Sequence, residues 1–195
     1  MKPPSIVYLV AAIMLLAGVS LRAENLIKNG DFTAGLSSWT VKSDSPKNTA
    51  EALTDAGGKS GKAVRITDGD EKMGISLVQK IPCESGKTYE LTFMSKTTSD
   101  QQGSPGYAMI QFLDAKGAWL NNPDAPTPNG TPTPEEKKLI KKDVCPFAPV
   151  GQQGWKDGTV VAVAPPGTVT LLLNLRGGNA GIGTIDVSDV SVIQK

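Results

Sequence analysis

Apolar and polar residues alternate with a period of two over most of the chain. In the most regular segment, 88–96, Tyr89, Leu91 and Phe93 share one face, and polar or flexible residues share the other. This is the period of a β-strand that buries one face in a core. The same pattern, bounded by turns rich in Gly, Pro and Asp, predicts further strands over 49–53, 63–67, 75–81, 107–113, 159–164, 169–176 and 184–193.

The two ends of the patterned region are expected to pack on each other. Near the start, a short apolar strand at 26–27 precedes Phe32 and Trp39, large apolar groups that can close one end of a core. Near the end, 184–193 alternates except for one slip of phase at 188–189, which predicts a β-bulge. We therefore predict that both ends lie side by side in one sheet.

Helical patterns are scarce in this sequence. Apart from an apolar N-terminal stretch and a brief segment at 134–142, no part of the chain has one. The predicted fold class is therefore all-β, a two-sheet antiparallel β-sandwich. Residues 121–149 break the alternation and contain seven prolines, so we predict a long proline-rich loop inserted in the sandwich.

The first residues have the pattern of an export signal. Lys2 is followed by a nearly continuous apolar run over 6–19, and Ala23 is the kind of small residue at which signal peptidases cleave. We predict a signal peptide over 1–23, one domain over 24–195 and a secreted, periplasmic or extracellular location. The alternative is a retained membrane anchor, for which the apolar run is short.

Charge and histidine content exclude several classes of function. The chain has 20 basic residues, 19 acidic residues and no histidine. Near neutrality argues against nucleic acid or an anionic membrane as a partner, since both call for clustered cations. Without histidine there is no Ser-His or Cys-His nucleophile and no His-based zinc site. A glycosidase needs only two carboxylates, but the acids here lie singly or in turns, so we predict a non-catalytic protein.

Cys83 and Cys145 are the two cysteines of the chain. Export would place them where disulfides persist, so we predict that they are bridged. Such a bridge would tie the insertion to the end of the strand at 75–81. The alternative is two unpaired thiols.

A set of short motifs follows in order along the chain. They are Asn29-Gly30-Asp31-Phe32 with Gly35-Leu36 and Trp39, then Gln79-Lys80-Ile81, Ser85-Gly86-Lys87-Thr88-Tyr89, Trp155, Pro165-Pro166-Gly167, Gly183-Thr184-Ile185 and Asp189-Val190-Ser191-Val192. Together they resemble the CenC-type carbohydrate-binding modules (family 4/9/22-like) of the galactose-binding-like jelly-roll superfamily. The resemblance covers 24–195 outside the insertion, and it implies a jelly-roll sandwich that binds carbohydrate.

The resemblance also bears on metal binding. In relatives of this type, acids after the opening Phe and near the C-terminal end help to hold a structural calcium ion. This chain has Thr33 and Ser188 at those positions, which weakens such a site. No cofactor is expected to be required, and a structural calcium ion held by backbone carbonyls with Asp31 or Asp189 stays open.

The implied sugar groove lies on the concave face of one sheet, where aromatic rings stack on sugars and amides bond to hydroxyls. The candidate ligands are Tyr107, Gln111, Asn174 and Arg176 on strand faces turned away from the core, with Met94 and Lys96 alongside, and Trp119 and Trp155 at the rim of the insertion. Alternatives stay open for each kind of residue. The amides and the arginine can be ordinary surface groups, and the tryptophans can pack the insertion onto the sandwich.

The predicted function is that of a non-catalytic, exported protein that recognises a plant-type or microbial poly- or oligosaccharide in a groove on one sheet. Aromatic residues make up only 5% of the chain, which argues against a flat platform for crystalline cellulose. The alternative is an extracellular adhesion or assembly protein that contacts another protein through the insertion. A small glycan-active enzyme is a third, less favoured hypothesis.

Overall fold

The computed structural model describes residues 24–97, 102–103, 105–124, 133–152, 154–178 and 181–195. The predicted signal peptide over 1–23 lies outside the described residues. Within them, no helix has the length and apolar character needed to cross a membrane.

In the described part of the chain, ten strands form two antiparallel five-stranded sheets. In chain order the elements are β1 (Thr40–Ser43), β2 (Thr49–Thr54), β3 (Lys62–Asp68), β4 (Ile75–Pro82), β5 (Thr88–Thr97), β6 (Tyr107–Leu113), α1 (Pro134–Leu139), β7 (Asp143–Pro146), β8 (Lys156–Val163), β9 (Thr170–Arg176) and β10 (Gly183–Gln194). The first sheet has the order β1-β4-β9-β6-β7, and the second has the order β2-β3-β10-β5-β8. The predicted all-β two-sheet sandwich is confirmed.

The core lies between the sheets and is built from the alternating faces that the sequence predicts. Leu171, Leu173 and Leu175 on β9 are fully buried, as are Ile185 and Val187 on β10 of the facing sheet. Burying each such side chain contributes about 2 kcal/mol of hydrophobic stabilisation. Because successive residues of a strand point to opposite sides, the other face of β9 is turned away from this core.

The two ends of the domain pack on each other as predicted, but not as strands of one sheet. The predicted strand at 26–27 is not formed, since the Asn25 side chain rather than a strand backbone accepts the Val192 N–H at 3.0 Å, and the first strand, β1, belongs to the sheet opposite β10. The Leu26 N–H donates to the Val192 carbonyl at 2.8 Å, and the Val190 N–H donates to the Gly30 carbonyl at 2.9 Å. Phe32 stacks on Trp39 with ring centroids 5.4 Å apart, and both side chains are buried. The N-terminal segment thus closes one end of the core.

The predicted bulge is present in β10. Its pairing with β5 shifts register between Ser188 and Ser191, and Asp189 within the shift adopts a φ of 51°. Gly30 fits beside the bulge because a Cβ at that position would overlap the Val190 carbonyl oxygen.

The proline-rich segment is not entirely a loop, which corrects the prediction for 121–149. Its C-terminal part forms β7, which extends the first sheet by pairing with β6. Phe147 and Ala148 are buried, and the Phe147 ring meets Phe93 edge-on at 5.7 Å. The segment after α1 is therefore an integral part of the sandwich. The prolines hid this short strand, since they interrupt the alternation by which strands are recognised.

The predicted disulfide is wrong, because both cysteines are free thiols. Cys83 follows β4 and Cys145 lies in β7, and β9 and β6 lie between these strands. Three strand spacings amount to about 14 Å, whereas a disulfide needs Cα atoms within about 7 Å. Burial raises the pKa of Cys83 to about 11.

Candidate functional site

The outward face of the first sheet carries three rows of side chains that run across the strands. The cross-strand pairing defines one row of Lys42, Ser76, Arg176 and Tyr107, a second of Thr40, Val78, Asn174, Met109 and Val144, and a third of Lys80, Leu172 and Gln111. All three rows lie opposite the core face because every member is in phase with the others. The face is mixed, with apolar groups between amides and cations.

Two adjoining depressions make this face a groove. One, of about 610 Å³, extends from β9 to β1 and is bounded by the 72–74 loop. The other, of about 390 Å³, lies against Tyr107, Trp119 and Val144. Gln111, Asn174 and Arg176 line both depressions, so they stand at the middle of the groove.

Asn174 has an unsatisfied polar atom in this groove. The residue is only 8% exposed, and its Oδ1 has no hydrogen-bond partner. Among the described buried side-chain atoms, the Asp68 Oδ2 is the other one in this state. Leaving a buried acceptor unpaired costs about 1–3 kcal/mol, so this position favours a ligand that brings a hydrogen-bond donor.

One wall of the groove is fixed by a hydrogen-bonded loop. The Asp70 Oδ1 accepts the N–H groups of Lys72 at 3.0 Å and Met73 at 3.3 Å, and its Oδ2 accepts the Ser45 hydroxyl at 2.9 Å. The Lys72 N–H and the Ser45 hydroxyl lower the pKa of Asp70, so this carboxylate stays ionised to low pH. The loop that carries Lys72 and Met73 is thereby held beside Ser76.

The opposite wall depends on Asn121, a residue that the sequence did not single out. Its side chain is buried and accepts the Phe112 N–H at 2.9 Å, and it donates to the Asp143 carboxylate at 2.9 Å. The Trp119 indole N–H also donates to the Asn121 carbonyl oxygen, which fixes the ring at the groove rim. Burial raises the pKa of Asp143, and the Asn121 hydrogen bond opposes that shift.

Most of the predicted site residues come together in the structure. Tyr107, Gln111, Asn174, Arg176 and Trp119 all line the smaller depression. Their role in sugar binding stays a prediction, but their placement in one groove is what that role requires.

Three suggested positions lie elsewhere. Trp155 packs over Gly57 just before β8 of the second sheet, and Met94 and Lys96 lie on β5 of the same sheet. Their strands face the core from the other side, so these side chains do not border the groove. For Trp155, the sequence offered no strand phase from which its direction could be inferred.

Both carboxylates at the predicted calcium position accept hydrogen bonds from neighbouring residues. The Asp189 Oδ2 lies 2.8 Å from both the Lys59 N–H nitrogen and the Ser188 hydroxyl oxygen, and the Asp31 Oδ1 accepts both the N–H and the hydroxyl of Thr33. Among the described residues, no three His, Cys, Asp or Glu side chains group to hold a metal. A calcium ion held mainly by backbone carbonyls, with Asp31 or Asp189 as the carboxylate ligand, stays a prediction.

Solved structures with the same sandwich place the fold in a recognisable class. The enzymatically active domain of tailspike protein 4 from bacteriophage CBA120 aligns with a TM-score of 0.65 and 19% identity. The alignment covers 88% of this chain and 21% of the tailspike chain, so the present chain spans about a fifth of the tailspike chain. "Family 16 Carbohydrate Binding Module-2" aligns with a TM-score of 0.55 and 16% identity over 87% of this chain and 99% of that one. TmCBM61, solved in complex with β-1,4-galactotriose, aligns with a TM-score of 0.53 and 16% identity over 89% of this chain and 100% of that one. At such identities the likeness establishes the β-sandwich fold.

The sequence identifies the family directly. The model of the CBM_4_9 family, described as a carbohydrate binding domain, matches residues 24–124, just over half of the chain. The protein therefore belongs to this family of carbohydrate-binding domains, as the motifs predicted. A comparison with curated proteins found no matching relative.

Proposed function

We propose that this protein is a non-catalytic module that binds a poly- or oligosaccharide in the groove on the outward face of the first sheet. The observation that carries the proposal is the unpaired, buried Oδ1 of Asn174 at the middle of that groove. A sugar hydroxyl is a donor of the kind that this acceptor lacks. The membership of the chain in a carbohydrate-binding family supports the same ligand class.

The other lining groups suit a sugar chain. The amide of Gln111 can donate and accept at once, which matches adjacent hydroxyls on one ring. Tyr107 and Trp119 at one end supply apolar faces with polar edges, and Val78 and Leu172 give the floor apolar patches. Alternating polar and apolar contacts are what the edges and faces of a pyranose present.

The composition of the groove supports binding without catalysis. Hydrolysis of a glycoside uses two carboxyl groups that flank the bond. Asp44 is the one carboxylate among the described residues that line the two depressions. We further propose that the protein is exported, as residues 1–23 predict, and fractionation of the producing cells with an antibody would test that separately.

Affinity electrophoresis and calorimetry with a panel of soluble polysaccharides test the proposed function. The panel contains mixed-linkage β-glucan, xylan, galactan and polygalacturonate. Gln111→Ala should weaken binding to the retained polysaccharide by about tenfold, since it removes hydrogen bonds worth about 1–2 kcal/mol. Thr159→Ala, an exposed position on β8 of the second sheet, is the matched control and should bind as the original does.

If Gln111→Ala and Thr159→Ala bind the polysaccharide equally tightly, the binding site does not lie in this groove. Retention of neither the original protein nor the variants on any polysaccharide would contradict the proposed function. Release of reducing sugar by the purified protein would contradict its non-catalytic character.

A further inference from the structure

The groove is richer in cations than the chain as a whole. Lys42, Lys72 and Arg176 line the larger depression, and Asp44 is the acid among its described lining residues. Lys80 lies on the same face, in the row with Gln111. The whole chain, by contrast, has nearly equal numbers of acidic and basic residues.

The cations near this face differ in whether a carboxylate already pairs with them. Lys142 at the rim lies 2.8 Å from the Asp124 carboxylate, so its charge is largely compensated. Lys42, Lys72, Lys80 and Arg176 are in none of the ion pairs formed within the described part of the chain. Their charge is available to a ligand.

Arg176 is the cation best placed to recognise an anion. It is half-buried at the middle of the groove, between Ser76 on β4 and Tyr107 on β6. The Asp68 carboxylate interacts with it electrostatically, but the Asp68 Oδ2 has no hydrogen-bond partner, so the guanidinium is not bound to that oxygen. A planar guanidinium binds carboxylates and oxyanion esters through two parallel hydrogen bonds.

The cations are spaced along the groove rather than gathered at one point. Lys42 and Arg176 belong to the same cross-strand row, two strand spacings apart, which is about 10 Å. Lys80 lies between them in strand order, two rows away. A repeating anionic chain would meet several of these charges at once, whereas a single small anion would meet one.

We infer that the groove selects an acidic polysaccharide, in which carboxylate or sulfate ester groups on the sugars pair with Arg176 and the neighbouring lysines. This inference rests on the proposed function, because the sugar rings are held by the amides and aromatic groups of the same groove. The anionic groups add the pairing that the protein itself does not supply to Arg176.

Matched pairs of polysaccharides test the inference. One pair is polygalacturonate and its fully methyl-esterified form, and the other is a sulfated galactan and the same galactan after desulfation. The protein should bind at least one acidic member about tenfold or more tightly than its neutral partner, and the preference should fall at an ionic strength of about 1 M, where charges are screened within about 3 Å. The pair that shows the preference tells carboxylate from sulfate recognition.

Substitutions test whether the preference for the acidic polysaccharide depends on the cations of the groove. Arg176→Gln and Lys42→Gln should each bring the affinity for the acidic polymer toward that for its neutral partner. Lys156→Gln, an exposed lysine on the second sheet, is the charge-matched control and should keep the preference. Thermal unfolding of each variant separates loss of recognition from loss of folding, and Lys42→Arg should retain the preference because it keeps the charge.

Equal binding of the acidic and neutral members of both pairs would overturn this inference and leave the proposed carbohydrate binding intact. Full retention of the preference by both Arg176→Gln and Lys42→Gln would overturn it in the same way. Failure to bind any polysaccharide, acidic or neutral, would overturn the proposed function itself.

Discussion

The outward faces of the two sheets differ in whether their polar side chains have hydrogen-bond partners within the protein. On the second sheet, the Arg65 guanidinium donates to both oxygens of Asp186 at 2.8 and 3.0 Å, and the Ser188 hydroxyl lies 2.6 Å from the Lys62 carbonyl oxygen. On the first sheet, Arg176 has no such carboxylate among the described ion pairs, and Asn174 has an unpaired oxygen. The groups named on the second sheet are paired within the protein, and we call this the satisfied face; the first sheet is left with unused hydrogen-bonding groups, and we call it the open face.

This difference separates a face that stabilises the fold from a face that can bind. Buried polar groups are normally paired, so an unpaired one is unfavourable unless a ligand or water completes it. Arg65 therefore joins β3 to β10, whereas Arg176 on β9 belongs to none of the ion pairs within the described residues. Removing a hydrogen-bonded group from the second sheet should lower the free energy of unfolding. Removing an unpaired group from the first sheet should lower the affinity for the ligand.

The largest expected effect is on the satisfied face. Asp186→Asn removes the charge that pairs with Arg65 and should lower the free energy of unfolding by about 2 kcal/mol, a typical contribution for hydrogen bonds to charged groups. The Asp186 side chain is only 4% exposed, so solvent can compensate little of this loss. Urea denaturation measures the change, and carbohydrate binding should be unaltered.

Asp157→Asn on β8 is the control for that substitution, because this carboxylate is exposed and belongs to none of the ion pairs within the described residues. Equal stability of both variants would show that the satisfied face does not depend on its ion pair.

On the open face, Asn174→Leu should have the opposite outcome. Leucine has a similar size and removes the unpaired oxygen, so the free energy of unfolding should stay the same or rise by about 1 kcal/mol. Affinity for the bound polysaccharide should fall by about tenfold or more. A clear loss of stability with binding unchanged would mean that Asn174 is a structural group.

A smaller effect concerns Asp68, whose buried Oδ2 has no partner. Burial raises the pKa of Asp68, so the folded state binds its proton more tightly than the unfolded state does. The contribution of this group to stability is therefore favourable at low pH and is lost as pH rises through the interval between the ordinary pKa near 3.8 and the raised value. Asp68→Asn should raise the melting temperature at pH 7 and leave it nearly unchanged at pH 3. A variant that is destabilised at pH 7 would contradict this account.

Calcium should have the smallest effect. The oxygen of Asp189 that faces Ser188 already accepts two hydrogen bonds, so calcium or a chelator should leave the melting temperature unchanged. A rise in melting temperature with calcium, abolished by Asp189→Asn, would show that the network opens to hold the ion.

The period of the strands made the groove residues predictable in part. Gln111 and Asn174 occupy alternate positions to buried residues of β6 and β9, so their outward direction could be inferred without a structure. Lys42 and Ser76 were missed as neighbours of Arg176, because cross-strand register is not encoded in any one segment. The alternation of a strand determines which face of the sheet a side chain is on, but it does not determine which residues of the neighbouring strands lie next to it.

Other errors have separate physical causes. β7 has only four residues and ends in proline, too short a segment for its alternation to stand out. The disulfide prediction rests on the number of cysteines and the expected export, and neither takes account of the two strands that lie between Cys83 and Cys145. A protein contact through the insertion stays a prediction, as does the sugar-binding role of each groove residue.

The most direct test of the binding face is to map the contact surface by NMR. A short fragment of the polysaccharide that binds most tightly would be titrated into the isotope-labelled protein while amide and side-chain shifts are followed. We predict that the largest changes occur at Gln111, Asn174 and the Arg176 guanidinium, with the outward positions of β8 unperturbed. Changes centred on the second sheet, with the Asn174 amide unmoved at saturation, would contradict the claim that the open face is the binding face.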